Sequence, residues 1–211
     1  MQKTYLCIDL KSFYASVECV ELGLDPFKVN LVVADPTRGG GAITLAATPA
    51  IKKLGVSSRG RIFEIDPKIE YMITPPRMHL YMEYSCKVYK VFLEFIAKED
   101  IHVYSIDESF LDVTSYLNLY QVNAKELAKK MLDRIYEKTG LTATVGIGTN
   151  LYLAKIAMDI SAKHNADRMA YLNEDLYRQT LWHHVPLTDF WMLGNGTERR
   201  LHKLGIYDMY D

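Results

Sequence analysis

HVYSIDESFLDVT, residues 102–114, holds two runs that want burial, broken by the acidic pair Asp107 and Glu108. The runs read as a hairpin: HVYSI rises to the acids and SFLDVT returns. Upstream, from Met78 to Ala97, apolar residues recur every three or four places, which predicts a long amphipathic helix. Downstream, a helix over about 123–138 is ended by Gly140, a strand follows in TATVGIG (142–148), and another helix covers 150–162. At the N-terminus TYLCID (4–9) reads as a buried strand. The order is therefore strand, helix, two strands, helix, strand, the split β-α-β-β-α-β pattern of an α+β fold, with residues 12–77 inserted after its first strand.

Inside the insert, Ser12 is placed to cap a helix over 13–22, and 30–34 and 42–48 read as strands joined by the turn DPTRGGG. Pro49 starts a short helix ending near Gly55, and a strand at 69–74 is stopped by Pro75–Pro76. The tail 168–211 reads as short helical segments. At 49% hydrophobic and 24% charged the 211 residues have a globular composition. Three cysteines with no CxxC pair argue against disulfide or zinc frameworks and point to a reducing, cytoplasmic setting. No apolar run reaches the ~18 residues of a membrane span. The formal net charge of −1 lacks the basic excess usual in nucleic-acid binders.

Asp9 ends an otherwise apolar strand. By itself it reads as a helix N-cap or a solvated strand end. The 107–108 pair alters that reading. In the split β-α-β-β-α-β fold the first and third strands are central neighbours, so Asp9 meets the pair at one edge of the sheet. Neighbouring strand residues face opposite ways, so Asp107 and Glu108 serve one site only where the pleat breaks. Three crowded carboxylates repel one another and take up protons unless divalent cations intervene. Magnesium prefers such oxygen ligands. One reading is a two-metal site for in-line phosphoryl chemistry; the other is an exposed acidic hairpin tip.

CIDLKSFYASVE (7–18), YSIDESFLDVT (104–114) and VGIGTNLYLAKIA (145–157) together resemble the Y-family (translesion) DNA polymerases, with details similar to the UmuC-like, ImpB/MucB/SamB-type repair proteins. The resemblance spans essentially the whole chain. It implies a ferredoxin-like palm at 1–11 and 78–166, a small fingers insert at 12–77, and a partial helical thumb at 167–211. It also implies a further DNA-gripping domain after Asp211, so that the chain is an N-terminal catalytic fragment, weak or inactive alone. The implied activity is template-directed DNA synthesis in damage tolerance, including the SOS response, with two Mg2+ ions. Asp9 and Asp107 match the carboxylates that ligate both metals, Glu108 the ligand of the catalytic metal, and the Leu10 carbonyl a ligand of the nucleotide-side metal. Ser12, Phe13 and Tyr14 match the helix N-terminus that holds the triphosphate, with Tyr14 under the incoming sugar. Lys155 and Lys52 match lysines that touch the triphosphate. Implied partners are primer-template DNA and deoxynucleoside triphosphate, with a sliding clamp and accessory repair subunits reached through the further domain; no membrane is implied.

Read without the resemblance, Tyr14 is a core aromatic, Lys52 and Lys155 are solvated helix lysines, and Asn150 is a helix cap. Several positions depart from the family pattern. Ala46 and Pro49 stand where fingers Thr and Tyr donors are common, and Lys11 stands where an acid is frequent. DFWMLGNGTERRLHKLGI (189–206) resembles a helix-hairpin-helix, yet Met192 occupies its usual first glycine, leaving Gly194 and Gly196 to supply a turn; Arg199, Arg200 and Lys203 read as phosphate contacts or equally as a solvated face. Two alternatives follow: a non-catalytic, polymerase-like DNA repair binding protein, and another two-metal enzyme such as a nucleotidyl cyclase.

Overall fold

A computed structural model describes residues 2–211 of the chain. The chain packs as two compact units. The first holds the chain up to Asp9, Phe92–Leu132 and Ala143–Asp211; the second holds Leu10–Val91 and Asp133–Thr142.

The first unit is built on a five-stranded sheet of order β5-β6-β1-β7-β8. Its strands are β1 (Tyr5–Leu10), β5 (Ile101–Val103), β6 (Glu108–Asp112), β7 (Ala143–Gly148) and β8 (Met169–Leu172). Strands β5 and β6 form the expected antiparallel hairpin, and β6 runs antiparallel to β1 with Asp9 opposite Glu108 and Cys7 opposite Phe110. Within this sheet, β1, β5, β6 and β7 stand in the split β-α-β-β-α-β arrangement. The edge strand β8, parallel to β7, lies where the sequence reads as helical tail. MAYL carries little strand signal of its own; it pairs because β7 offers an open edge.

Strand β7 is buried along its whole length, and it leads into α6 (Leu151–Ile156). Gly146 and Gly148 explain how closely that helix returns. A Cβ on Gly146 would stand 1.9 Å from the Ala154 carbonyl oxygen, and one on Gly148 would stand 2.2 Å from the Ala154 nitrogen. Only residues without a side chain let the helix backbone rest on the strand. Asn150 is the cap the sequence suggested: its side-chain oxygen accepts from the Leu153 N–H at 2.8 Å. After α6 the helix widens into a π-helical turn at Ala157–Ser161 and ends in a 3-10 turn at Ala162–His164. Leu153, Ile156, Leu172, Leu181, Leu187 and Phe190 form the core on which α7 (Glu174–Leu181) packs. An unforeseen helix, α4 (Thr114–Tyr120), follows β6, its first turn held by Asp112 accepting from the Thr114 N–H.

The second unit holds a three-stranded sheet of order β3-β2-β4, with β2 (Leu31–Val33), β3 (Ala46–Ala47) and β4 (Met72–Thr74). The strand expected over 42–48 shrinks to two residues, because Thr44 hydrogen-bonds Gly60 instead and Ile43 bridges Arg61. DPTRGGG is a 3-10 segment bent at Gly39, whose φ of 56° a glycine adopts without strain. Pro49 opens α2 (Pro49–Lys52) at its first position. Helix α1 (Phe13–Glu21) buries Glu18, which accepts from Arg77 (Nη2 at 2.6 Å) and from the Tyr81 hydroxyl at 2.6 Å. Tyr81 lies in α3 (Met78–Leu93), four residues shorter than its apolar pattern predicts. Helix α5 (Ala124–Thr139) starts with a reciprocal Asn123–Glu126 cap and stops at Gly140, φ 69°. No helix among the described residues is long and apolar enough to cross a membrane.

Candidate active site

Asp9 and Glu108 are cross-strand partners on β1 and β6, so their side chains share one face of the sheet. Cys7, two residues before Asp9, shares that face, and its thiol donates to Glu108 Oε1 at 3.3 Å. Asp107 lies in the bend just before β6 begins, which is the break in the pleat that two adjacent carboxylates need to serve one place. Its Oδ1 accepts from the Ser105 hydroxyl at 2.7 Å.

Lys155 joins this group. The solvated-lysine reading fails: the residue is 7% exposed. Its Nζ lies 2.8 Å from Glu108 Oε2 and 3.0 Å from Asp159 Oδ2. Lys163 reaches Asp159 Oδ1 at 2.8 Å and Asp9 Oδ2 at 3.6 Å. Asp159 and Lys163 were not singled out from the sequence. Their signal was the spacing of four from Lys155 to Asp159 and again to Lys163, one face of a helical segment.

Charges tune the cluster in both directions. Burial pushes the Asp9 carboxyl up to about 6; Lys163 and Lys155 oppose that, while Asp107 and Glu108 add to it. Burial alone would lower Lys155, but its hydrogen bond to Glu108 and the charges of Asp159 and Glu108 hold it raised and protonated. Burial, then the Glu108 charge, pushes the Cys7 thiol far up, so it remains a neutral donor.

Four carboxylates thus face two ammonium groups, leaving an excess of negative charge. Among the described residues, no group of three or more His, Cys, Asp or Glu side chains is drawn together tightly enough to hold one ion. Glu108 is turned to Lys155 and Cys7, and Asp107 to Ser105. The donor set still fits magnesium: it is all oxygen, at the ends of neighbouring strands, and already draws cationic groups to itself.

The second unit holds the other nucleotide candidates. Leu10, the last residue of β1, is buried. Ser12 stands at the N-cap of α1 with a left-handed φ of 50° and makes no side-chain cap. Its hydroxyl accepts instead from Lys52 Nζ at 3.0 Å, which brings two predicted site residues together. Phe13 is buried, while Tyr14 is half-buried and stacks on Tyr81 with ring centroids 4.4 Å apart and 14° between planes. Tyr81 is itself fixed by its bond to the buried Glu18, so Tyr14 has a rigid backing. Ala46 and Pro49 are both buried, and neither side chain offers a donor.

Gly194 takes an ordinary extended backbone at the N-cap of α8 (Asn195–His202), and Gly196 lies in its first turn. The left-handed residue is Met192 itself, at φ 72°. Met192 therefore adopts the conformation glycine would supply, with its side chain 78% exposed. Arg199 and Arg200 are exposed on α8.

Comparison with known proteins places these features in context. The sequence profile of the impB/mucB/samB family matches residues 8–159. A Bacillus subtilis (strain 168) protein named for UV-damage repair, UvrX, is 38% identical over 208 residues, spanning 97% of this chain and 48% of its own length. DNA polymerase IV 2 of the same organism is 34% identical over 209 residues, spanning 97% of this chain and 49% of its own. Among solved structures, DinB from Sulfolobus solfataricus superposes with a TM-score of 0.77 at 27% identity, and an insertion ternary complex of Dbh DNA polymerase with 0.80 at 27%; each alignment covers 97% of this chain and 58% of the other. The chain spans about half the length of the curated relatives it matches.

Proposed function

Since the chain belongs to the impB/mucB/samB family of Y-family DNA polymerases, we propose that it supplies the catalytic part of a template-directed DNA polymerase of the translesion type. The observation that carries this reading is the pairing of Asp9 with Glu108 across β1 and β6, with Asp107 in the bend beside them. Asp9, Asp107, Glu108 and the Leu10 carbonyl are the residues to hold two magnesium ions. Bound there, the ions would lower the charge on the triphosphate and activate the primer 3′-hydroxyl. The protein side of the chemistry falls to the carboxylates and lysines. Burial and mutual repulsion keep Asp9 primed to exchange a proton for a cation. Lys155, fully protonated, is a fixed positive charge for the triphosphate.

The second unit supports its own share of the reading. Ser12, Phe13 and Tyr14 form the start of α1, where N–H groups suit phosphate oxygens, and Lys52 is already joined to Ser12. The stacked Tyr14 ring suits a gate against a 2′-hydroxyl. On α8, Arg199 and Arg200 suit phosphates of primer-template DNA, with backbone contacts at Gly194 and Gly196. Palm, fingers and thumb are proposed at 1–11 with 78–166, 12–77 and 167–211. A sliding clamp and accessory repair subunits are further proposed partners.

The test is primer extension with magnesium by the full-length protein that carries this chain. Extension by that protein and its loss in Asp107→Ala, with the fold retained, supports the reading. A non-catalytic DNA repair binding protein is the second reading. It is favoured by the donorless Ala46 and Pro49 and by the engagement of Glu108 with Lys155. DNA binding without extension would select it.

A further inference from the structure

Resting on the polymerase reading above, we propose that Asp159 is a positioning residue that keeps Lys155 and Lys163 in the site while a divalent cation takes over Glu108 and Asp9. The five groups alternate in charge: Glu108, Lys155, Asp159, Lys163, Asp9. Each oxygen of Asp159 holds one lysine, Oδ2 to Lys155 at 3.0 Å and Oδ1 to Lys163 at 2.8 Å. The same two ammonium groups hold two of the proposed metal ligands, Glu108 at 2.8 Å and Asp9 at 3.6 Å. A cation therefore competes with an ammonium group for each carboxylate.

The cost of that exchange depends on where the lysine goes. Lys155 is 7% exposed, so an ammonium that lost its only partner would be a buried, uncompensated charge. Asp159 removes that cost, because Lys155 keeps one carboxylate after it releases the other. Its charge stays beside the metal site, where a triphosphate needs it. The wide helical turn at Ala157–Ser161 carries Asp159, and π-turns of this kind recur at functional sites.

The role predicts non-additive behaviour. With Asp159 present, Lys155 yields readily, and Lys155→Met should change cation affinity less than threefold. With Asp159→Asn, Lys155 clings to Glu108, and the affinity should fall about tenfold. Adding Lys155→Met to Asp159→Asn should recover that loss, and Asp159→Glu should retain most of the affinity. Simple long-range charge predicts the same effect of Lys155→Met in both backgrounds.

The experiment is Mn2+ binding by the full-length protein, without DNA or nucleotide, read by calorimetry or electron paramagnetic resonance, with thermal melting to confirm folding. In steady-state extension, Asp159→Asn should raise the nucleotide KM more than it lowers kcat. Wild-type affinity in Asp159→Asn, or additive effects in the double variant, would overturn the positioning role and leave the polymerase reading standing. A wild-type protein that took up no Mn2+ through Asp9 and Asp107 would overturn both. Because the double variant should regain binding, a loss caused by misfolding is recognised at once.

Discussion

Gly146→Ala puts the packing that builds the site under direct test. The added Cβ would lie 1.9 Å from the Ala154 carbonyl oxygen, 2.4 Å from the Met158 nitrogen and 2.7 Å from the Met158 Cβ. The first two are backbone atoms and cannot swing aside. Ordinary contact begins at 3.4 Å, so helix and strand must part by roughly 1–1.5 Å. Overpacking of this kind costs about 1–3 kcal/mol, and this site belongs at the upper end. The alanine returns ~0.5–1 kcal/mol by restricting the unfolded chain. The net loss of about 2 kcal/mol should lower Tm by roughly 4–8 °C for a chain of this size. The same shift carries Lys155 away from Glu108, whose 2.8 Å contact does not survive a displacement of that size. Gly41→Ala is the control, since no atom lies within 4 Å of its added Cβ and its backbone is not left-handed. Denaturant and thermal unfolding of both variants provide the measurement. Equal stability of Gly146→Ala and Gly41→Ala would refute the claim that glycine at 146 exists to admit α6.

Arg77→Ala strips the buried Glu18 of its guanidinium and should cost about 3–5 kcal/mol in urea unfolding, whereas Glu18→Gln with Arg77→Met should cost far less. Tyr14→Ala should admit ribonucleotides in extension assays with the full-length protein; unchanged discrimination between dATP and ATP would remove Tyr14 as the gate. Met192→Gly should stabilise the chain by about 1 kcal/mol in thermal melts, since the φ of 72° favours glycine. With divalent ions chelated, Asp9 titrates near 6 when folded against an ordinary 3.8. Its folded pKa is the higher one, so its contribution to stability is fully present below about pH 4 and lost as pH rises through 6. Asp9→Asn should flatten that fall in a pH series of unfolding midpoints.

The order of elements was legible because periodicity and punctuation are local. The acids between HVYSI and SFLDVT, the apolar stripe after Met78, and Gly140 closing α5 each report on a few neighbouring residues. The carboxylates were legible for a related reason: a charge is costly in a buried strand, so Asp9, Asp107 and Glu108 stood out against apolar surroundings. Asn150 announced its cap in the same way. What stayed hidden depends on partners distant in the chain. MAYL becomes β8 only because β7 has a free edge, and AITLAAT loses most of its strand to Gly60 and Arg61.

By itself, then, the sequence determined the split β-α-β-β-α-β core, the acidic trio and the family, each written in short runs of residues. Only the tertiary structure decided which charges meet. Lys155 lies 47 positions from Glu108, and Lys163 lies still farther along the chain from Asp9. The spacing of four puts both lysines on one helix face with Asp159, but it does not tell a buried lysine from a solvated one. They become part of the site because Gly146 and Gly148 let a helix backbone rest against β7. Tyr14 likewise gains its rigid backing from Tyr81 and Glu18, through a stack and a hydrogen bond that no spacing in the sequence encodes. Burial makes such pairings strong, and burial is a property of the folded chain.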